Sequence, residues 1–513
     1  MSGAAALFAA GMLLAPAGAS AHRGPTVRTD NGKVRGFRAD GADKFLGIPY
    51  AAPPVGARRW RPPAPAASWR GVRDATSYGN RCAQLASSNG AGSENEDCLY
   101  LNVFRPARHA ARHRHLPVLV MIHGGGLVNG AGDQHDGALL ARTDGIVVVS
   151  FNYRLGVFGF LAMPTLSAEA ADHSSGDYGV LDQQAAIRWV HRNIAAFGGD
   201  PHRVTIDGES AGGWSVCAQL ASPLMRGLFQ AAIIQSGSCA SQDLATGESA
   251  GTTFAAQLGC SDAACLRTKS AHDLLAATAG AQAYSITWGG RELPVSPADA
   301  IASGHFNRVP VINGSNHDEG RTFAQDLTDF TEPQYEAFVR SLFGANADAV
   351  LAQYPFSAYP SPYTSAYAIG AIWTDSGFIT GIGGCGALSL DEQLARWTRT
   401  FAYQFDDRHA PGLNDNHPGY MWGAGHAMEL AYLWPSFDNG IPLAAQFTPA
   451  QRELSHEMVL RWGAMARFGT PFWPAYHPGG KLWSLRPGYN SRPISQATYS
   501  AQHKCGFWNS LDG

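Results

Sequence analysis

The stretch GGDPHRVTIDGESAGGWSV, from Gly198 to Val216, sets a β-branched run directly before a serine fenced by glycines. RVTID (203–207) has the composition of a strand and AGGWSVCAQLAS (211–222) that of a helix, so Ser210 falls in the turn between them. A serine hydroxyl is a weak nucleophile at neutral pH; it needs a base, a group to hold that base and donors for an oxyanion. A G-x-S-x-G turn between strand and helix solves the problem of access. The serine projects from a strained backbone, Gly208 and Gly212 remove side chains that would collide, and the Ala211 N–H at the helix start can face an oxyanion. The bland alternative, a small residue in an ordinary tight turn, has no need of the strand before it and the helix after it.

Further strand-like runs recur along the chain: LYLNVF (99–104), LPVLVMIH (116–123), GIVVVSFNY (145–153), FQAAIIQ (229–235) and RVPVING (308–314). Several are apolar on both faces, which suits central strands covered on both sides. Helical patterns lie between them. In GVLDQQAAIRWVHRNIAAFGG, Ala186, Val190, Ile194 and Phe197 fall at helical spacing before the stop at Gly198 and Gly199. In FTPAQRELSHEMVLRWGAMARFGTP, Thr448 is an N-cap, Pro449 takes the first helical position, Gln451 completes a capping box and Gly469 terminates. Strands alternating with helices predict a doubly wound α/β sheet, in which sites form at the carboxyl ends of strands. Ser210 sits at such an end.

A second element, His123-Gly124-Gly125-Gly126, closes the run VLVMIHGGG; three glycines there let backbone N–H groups approach a ligand without a Cβ in the way. With these pieces in place the chain resembles the type-B carboxylesterase/lipase family. FGGDPHRVTIDGESAGG is similar to its serine signature and EDCLYLNVFRP (96–106) to a second one, and with NYRLGVFGFL the likeness runs from about Thr26 to Trp508. The resemblance implies an α/β-hydrolase fold: a large central, mostly parallel sheet flanked by helices, with loop and helical insertions forming the pocket.

It also implies a triad in the chain order serine, glutamate, histidine. VPVINGSNHDEGRTF supplies Glu319, with Asp318 as the weaker substitute, and MWGAGHAMELAYLW supplies His426. By similarity, the backbone N–H groups of Gly125, Gly126 and Ala211 form the oxyanion hole. Leu127, Trp288, Leu293 and Phe323 are pocket-wall candidates, each against the alternative of ordinary core packing. Glu209, next to the nucleophile, and Ser236, in IIQSGS, are expected beside the triad. The implied disulfides are Cys82–Cys98, Cys260–Cys265 and Cys385–Cys505, leaving Cys217 and Cys239, which are expected as free thiols although the two could pair. The loop between Cys82 and Cys98 holds none of the aromatic residues that cholinesterases use against a quaternary ammonium, which argues against choline esters unless Trp288, Trp373 or Trp422 supplies that face.

The 513 residues carry Lys+Arg 38 against Asp+Glu 41, a formal charge of -3, too balanced for a nucleic-acid partner. Residues 1–21 read as a cleaved signal peptide, with an apolar stretch from Ala4 to Ala15 and the small-residue end Ala19-Ser20-Ala21, although no Lys or Arg precedes the stretch. A membrane anchor is the alternative, opposed by shortness and Pro16; stable membrane insertion is not expected. Residues 22–513 read as a single domain, and export makes disulfides natural for the 8 Cys. No C-x-x-C pair points to a metal, and no cofactor is expected. RPARHAARHRHLP (105–117) reads as a solvated loop between strands rather than a polyanion or metal site. Asn313-Gly314-Ser315 matches a glycosylation sequon beside the expected acid loop, where use is not expected.

The expected function is thus a secreted serine carboxylesterase acting on small-molecule esters. The rival enzyme reading is a lipase or sterol esterase working on water-insoluble esters. From another class, family relatives that serve as binding proteins lack a triad member, and this sequence lacks none.

Overall fold

A computed structural model describes residues 24–87, 89–107, 115–279, 284–437 and 441–511. The expected signal segment and His109 and His113 of the basic loop lie outside these described residues. Eleven strands form the central sheet: β1 (Phe37–Ala39), β2 (Ala42–Pro49), β3 (Tyr100–Pro106), β4 (Leu116–Ile122), β5 (Val147–Phe151), β6 (Gly199–Glu209), β7 (Ala231–Gln235), β8 (Val311–Asn316), β9 (Thr400–Phe405), β10 (Lys481–Leu485) and β11 (Arg492–Ser495). Their spatial order is β11-β10-β9-β8-β7-β6-β4-β5-β3-β2-β1. From β5 through β10 neighbours pair parallel, while antiparallel strands finish both sides. This is the α/β-hydrolase architecture.

The doubly apolar strands explain the layering. Along β4, Val118, Val120 and Ile122 join a core on one face, and Leu119 and Met121 join a core on the other. Both sets are shielded from water because helices cover both faces. Helix α1 (Tyr178–Asn193) gives way to a 3-10 turn at Ile194–Phe197, and Gly198, at φ 91, supplies the left-handed exit that a β-carbon would disfavour. Helix α2 (Ala211–Ala221) follows β6, and helix α3 (Pro449–Phe468) has the Thr448 cap, the Gln451 box and the Gly469 terminus read from its sequence. A buried two-point ion pair, Arg154 to Asp182 at 2.7 Å, fastens the NYRLG segment to α1.

Four disulfides staple loops to this frame: Cys82–Cys98, Cys260–Cys265, Cys385–Cys505 and Cys217–Cys239. The last corrects the expectation of two free thiols. Cys217 lies on α2 and Cys239 just past β7, and because that helix packs along that strand their Cα atoms stand 5.4 Å apart, within bridging range.

Candidate active site

Ser210 stands between β6 and α2 with φ 56 and ψ −124, a conformation costly for a residue with a β-carbon and held here by its surroundings. Its N–H donates to Gln235 O at 2.9 Å. The flanking glycines are sterically required. A Cβ on Gly208 would lie 2.3 Å from Gly212 O, and one on Gly212 would lie 2.0 Å from Ile122 O. The glycine loop after β4 closes on the same point, since a Cβ on Gly124 would approach the Ser210 Cβ to 3.0 Å. Gly125 and Gly126 take φ values of 102 and 61, which turn this loop beside the start of α2.

Glu319 lies just beyond β8. Its Oε1 accepts from Asn316 N at 2.7 Å, and its Oε2 sits 2.6 Å from His426 Nδ1. The Thr322 hydroxyl donates to His426 O at 3.0 Å, and the Phe323 ring packs 4.7 Å from the imidazole. Asp318 serves the loop instead. It receives two hydrogen bonds from Arg408, at 2.9 and 3.0 Å, and one from Ala424 N, which ties the Glu319 loop to the His426 loop. Burial alone would raise its pKa, but His317, Arg321 and Arg408 hold it well below the usual carboxylate range.

On the far side of the imidazole, Nε2 lies 3.2 Å from Glu209 Oε1. Among the described residues no hydrogen bond joins Ser210 Oγ to His426, although both side chains face one cavity; such contacts tighten when substrate binds. Glu429 completes a buried acidic ring, accepting from Asn316 Nδ2 at 2.6 Å and Gln235 Nε2 at 3.2 Å. Burial pushes the Glu429 carboxyl up to about 7, with Glu319 adding to the rise. Glu209 is driven well above its ordinary value by burial, opposed by His426 and reinforced by Glu429, Glu319 and Asp207. For His426, burial works downward, yet Glu209, Glu319 and Glu429 outweigh it and raise the imidazole to about 9. A base set only by its free value would titrate near 6.5.

The cavity measures about 350 Å³ and is lined by Ser210, His426, Glu209 and Gly124–Gly126, with Val128, Trp214 and Phe323 among its apolar walls. Of the four wall candidates, Phe323 lies there. Leu127 is fully buried behind the glycine loop, Leu293 is fully buried in the core, and Trp288 pairs in a short strand with Asp243 and packs on the core. They satisfy the apolar requirement of the interior rather than of the cavity. Trp422 belongs to the core too, and Trp373 stacks on Phe378. Among the described residues the buried Ser236 hydroxyl has no partner, and its N–H donates to Gly314 O at 2.8 Å. Sequence reasoning missed Glu429, although its place three residues after His426 was a usable signal. It also missed Asn89, Asn129 and His135, which no motif marks.

No helix among the described residues is long and apolar enough to cross a membrane. The Carboxylesterase family model matches residues 23–485. The chain is 35% identical over 488 residues to the fumonisin B1 esterase of Sphingopyxis macrogoltabida, covering 89% of this chain and 85% of that enzyme. It is 35% identical over 478 residues to the para-nitrobenzyl esterase of Bacillus subtilis (strain 168), covering 88% and 92%. A solved thermophilic PNB esterase superposes with a TM-score of 0.77 at 32% identity, over 94% of this chain and 99% of that one. A carboxylic ester hydrolase built on the α/β-hydrolase fold, this chain belongs to the carboxylesterase family.

Proposed function

We propose that the protein is a secreted serine esterase that cleaves small carboxylic esters through an acyl-enzyme on Ser210. The observation that carries this reading is the convergence of Ser210, the Glu319-held imidazole of His426 and the glycine loop on one cavity. His426 takes the hydroxyl proton as Ser210 Oγ attacks the ester carbonyl, and Glu319 fixes the imidazole with its N–H on Nδ1 and stabilises the cation that forms. The N–H groups of Gly125, Gly126 and Ala211 receive the oxyanion. His426 then passes its proton to the departing alcohol, and water activated by the same imidazole cleaves the acyl-enzyme. Four disulfides in one chain suit an oxidising compartment and support export. The names of the relatives, fumonisin B1 and para-nitrobenzyl esterases, favour soluble esters over emulsified acylglycerols.

The test is active-site labelling with a fluorophosphonate together with p-nitrophenyl acetate hydrolysis. Wild type labels and turns over, and Ser210→Ala does neither, with kcat lower by about 10⁴-fold or more. A folded wild-type protein that never labels would overturn the reading.

A further inference from the structure

The cavity beside Ser210 has a polar wall for which the triad has no use. Asn89 from the Cys82–Cys98 loop, Asn129 just past the glycine loop, and Gln134 and His135 from the next turn all line it. The amides brace one another. Asn89 Nδ2 donates to Asn129 Oδ1 at 2.9 Å, Gln134 Nε2 donates to Asn89 O and Oδ1 at 3.0 Å each, and Gln134 Oε1 accepts from Ala131 N at 3.0 Å. This bracing fixes the Asn129 side chain, yet among the described residues nothing accepts from its Nδ2.

His135 is the sharper anomaly. It is 2% exposed, and among the described residues neither ring nitrogen has a hydrogen-bond partner. Its ring is pinned edge-on against Trp434, with centroids 5.5 Å apart, and lies beside Phe437. Burial, aided by His123, pulls it down to about 3; Ala131 O opposes that pull without making a well-formed hydrogen bond. The ring is therefore neutral in the working range, with one N–H donor and one acceptor. Buried polar atoms are nearly always paired, so such an exception calls for a ligand or a water. Apart from Glu209 and His426, the described residues that line the cavity are uncharged.

We propose that His135 and Asn129 form a specificity subsite for a neutral hydrogen-bonding oxygen, an ether, hydroxyl or carbonyl, carried on the acyl or alcohol portion of the ester. This rests on the serine-esterase reading above and adds the class of substrate. Among the described residues the wall has no charge with which to hold an ionic substituent, and a plain alkyl chain would leave both donors unmet.

The experiment measures kcat/KM for two isosteric pairs of esters. In one pair a methylene of the acyl chain is replaced by an ether oxygen, and in the other a methylene of the alcohol chain. Wild type is compared with His135→Phe, which keeps the ring and removes both nitrogens, and with Asn129→Leu; His135→Leu, which also has no hydrogen-bonding group, stands in if the phenylalanine variant does not fold. The ether-to-methylene ratio of one pair is expected to fall about tenfold in the variants, the worth of one hydrogen bond, and the affected pair identifies the arm of the ester. General damage to the site cancels in a ratio. Ratios unchanged in both pairs, as an internal water on His135 would give, overturn the subsite while leaving the esterase reading intact. A wild type that cleaves none of the four esters removes the reading and the subsite together.

Discussion

Glu209→Gln isolates what the acidic ring does to the base. In the proposed mechanism the imidazole must be neutral to accept the serine proton, so activity is expected to fall as pH drops below the His426 pKa, raised here to about 9. The nearest anionic group to Nε2 is Glu209 Oε1, at 3.2 Å. At an effective dielectric of about 20, two full charges at that distance attract by about 5 kcal/mol. Burial pushes the Glu209 carboxyl well above its ordinary value, so the full attraction is an upper bound, and a contact of this length to a charged group contributes about 1.5 to 3 kcal/mol net. At 1.36 kcal/mol per pH unit, this is a shift of about one to two units. Glutamine preserves the shape and removes the charge, so the acidic limb of kcat/KM should move from about 9 to about 7–8. The plateau should fall at the same time, because the imidazolium of the proposed transition state loses an anionic neighbour. The assay is p-nitrophenyl acetate hydrolysis from about pH 5 to 10 at constant ionic strength. A limb that stays in place, or moves to higher pH, would refute the electrostatic account.

Gly125→Ala should cut kcat about a hundredfold or more with the fold retained, because the added Cβ would lie 2.2 Å from Asn129 O and the loop must shift away from the proposed oxyanion position; steady-state kinetics and circular dichroism check this. Asp144, whose buried Oδ2 has no hydrogen-bond partner among the described residues, is pushed up to about 7 by burial despite Arg467. Its folded pKa exceeds the unfolded one, so the protein loses stability as pH rises from about 4 up through about 7, and Asp144→Asn should raise Tm more at pH 8 than at pH 5 in thermal melts.

The sequence made legible what short-range pattern encodes. Strand β6, the Ser210 turn, the Thr448 cap and the Gly469 terminus are each written in a few adjacent residues, and the alternating cores follow from strands apolar on both faces. Strand β9 passed unremarked because TFAYQF mixes polar and apolar residues without a clear period. The side chains brought together at the cavity depended on family motifs, since Glu319 and His426 lie 107 positions apart and no local rule joins them. The pairing of Cys217 with Cys239 arises from helix-on-strand packing, which cysteine spacing does not record. Leu127 and Leu293 failed as wall residues because an apolar side chain reads the same whether it faces a cavity or a core. Asn89, Asn129 and His135 were silent for the opposite reason: isolated polar residues in loops usually face solvent.

The central sheet has one further consequence, at its margins. One outermost strand has three residues and the other has four, including Arg492 and Pro493, so neither offers a long row of free amides to another chain. A wide sheet with truncated borders, one of them blunted by proline, resists strand-by-strand stacking between molecules and so favours a dispersed protein.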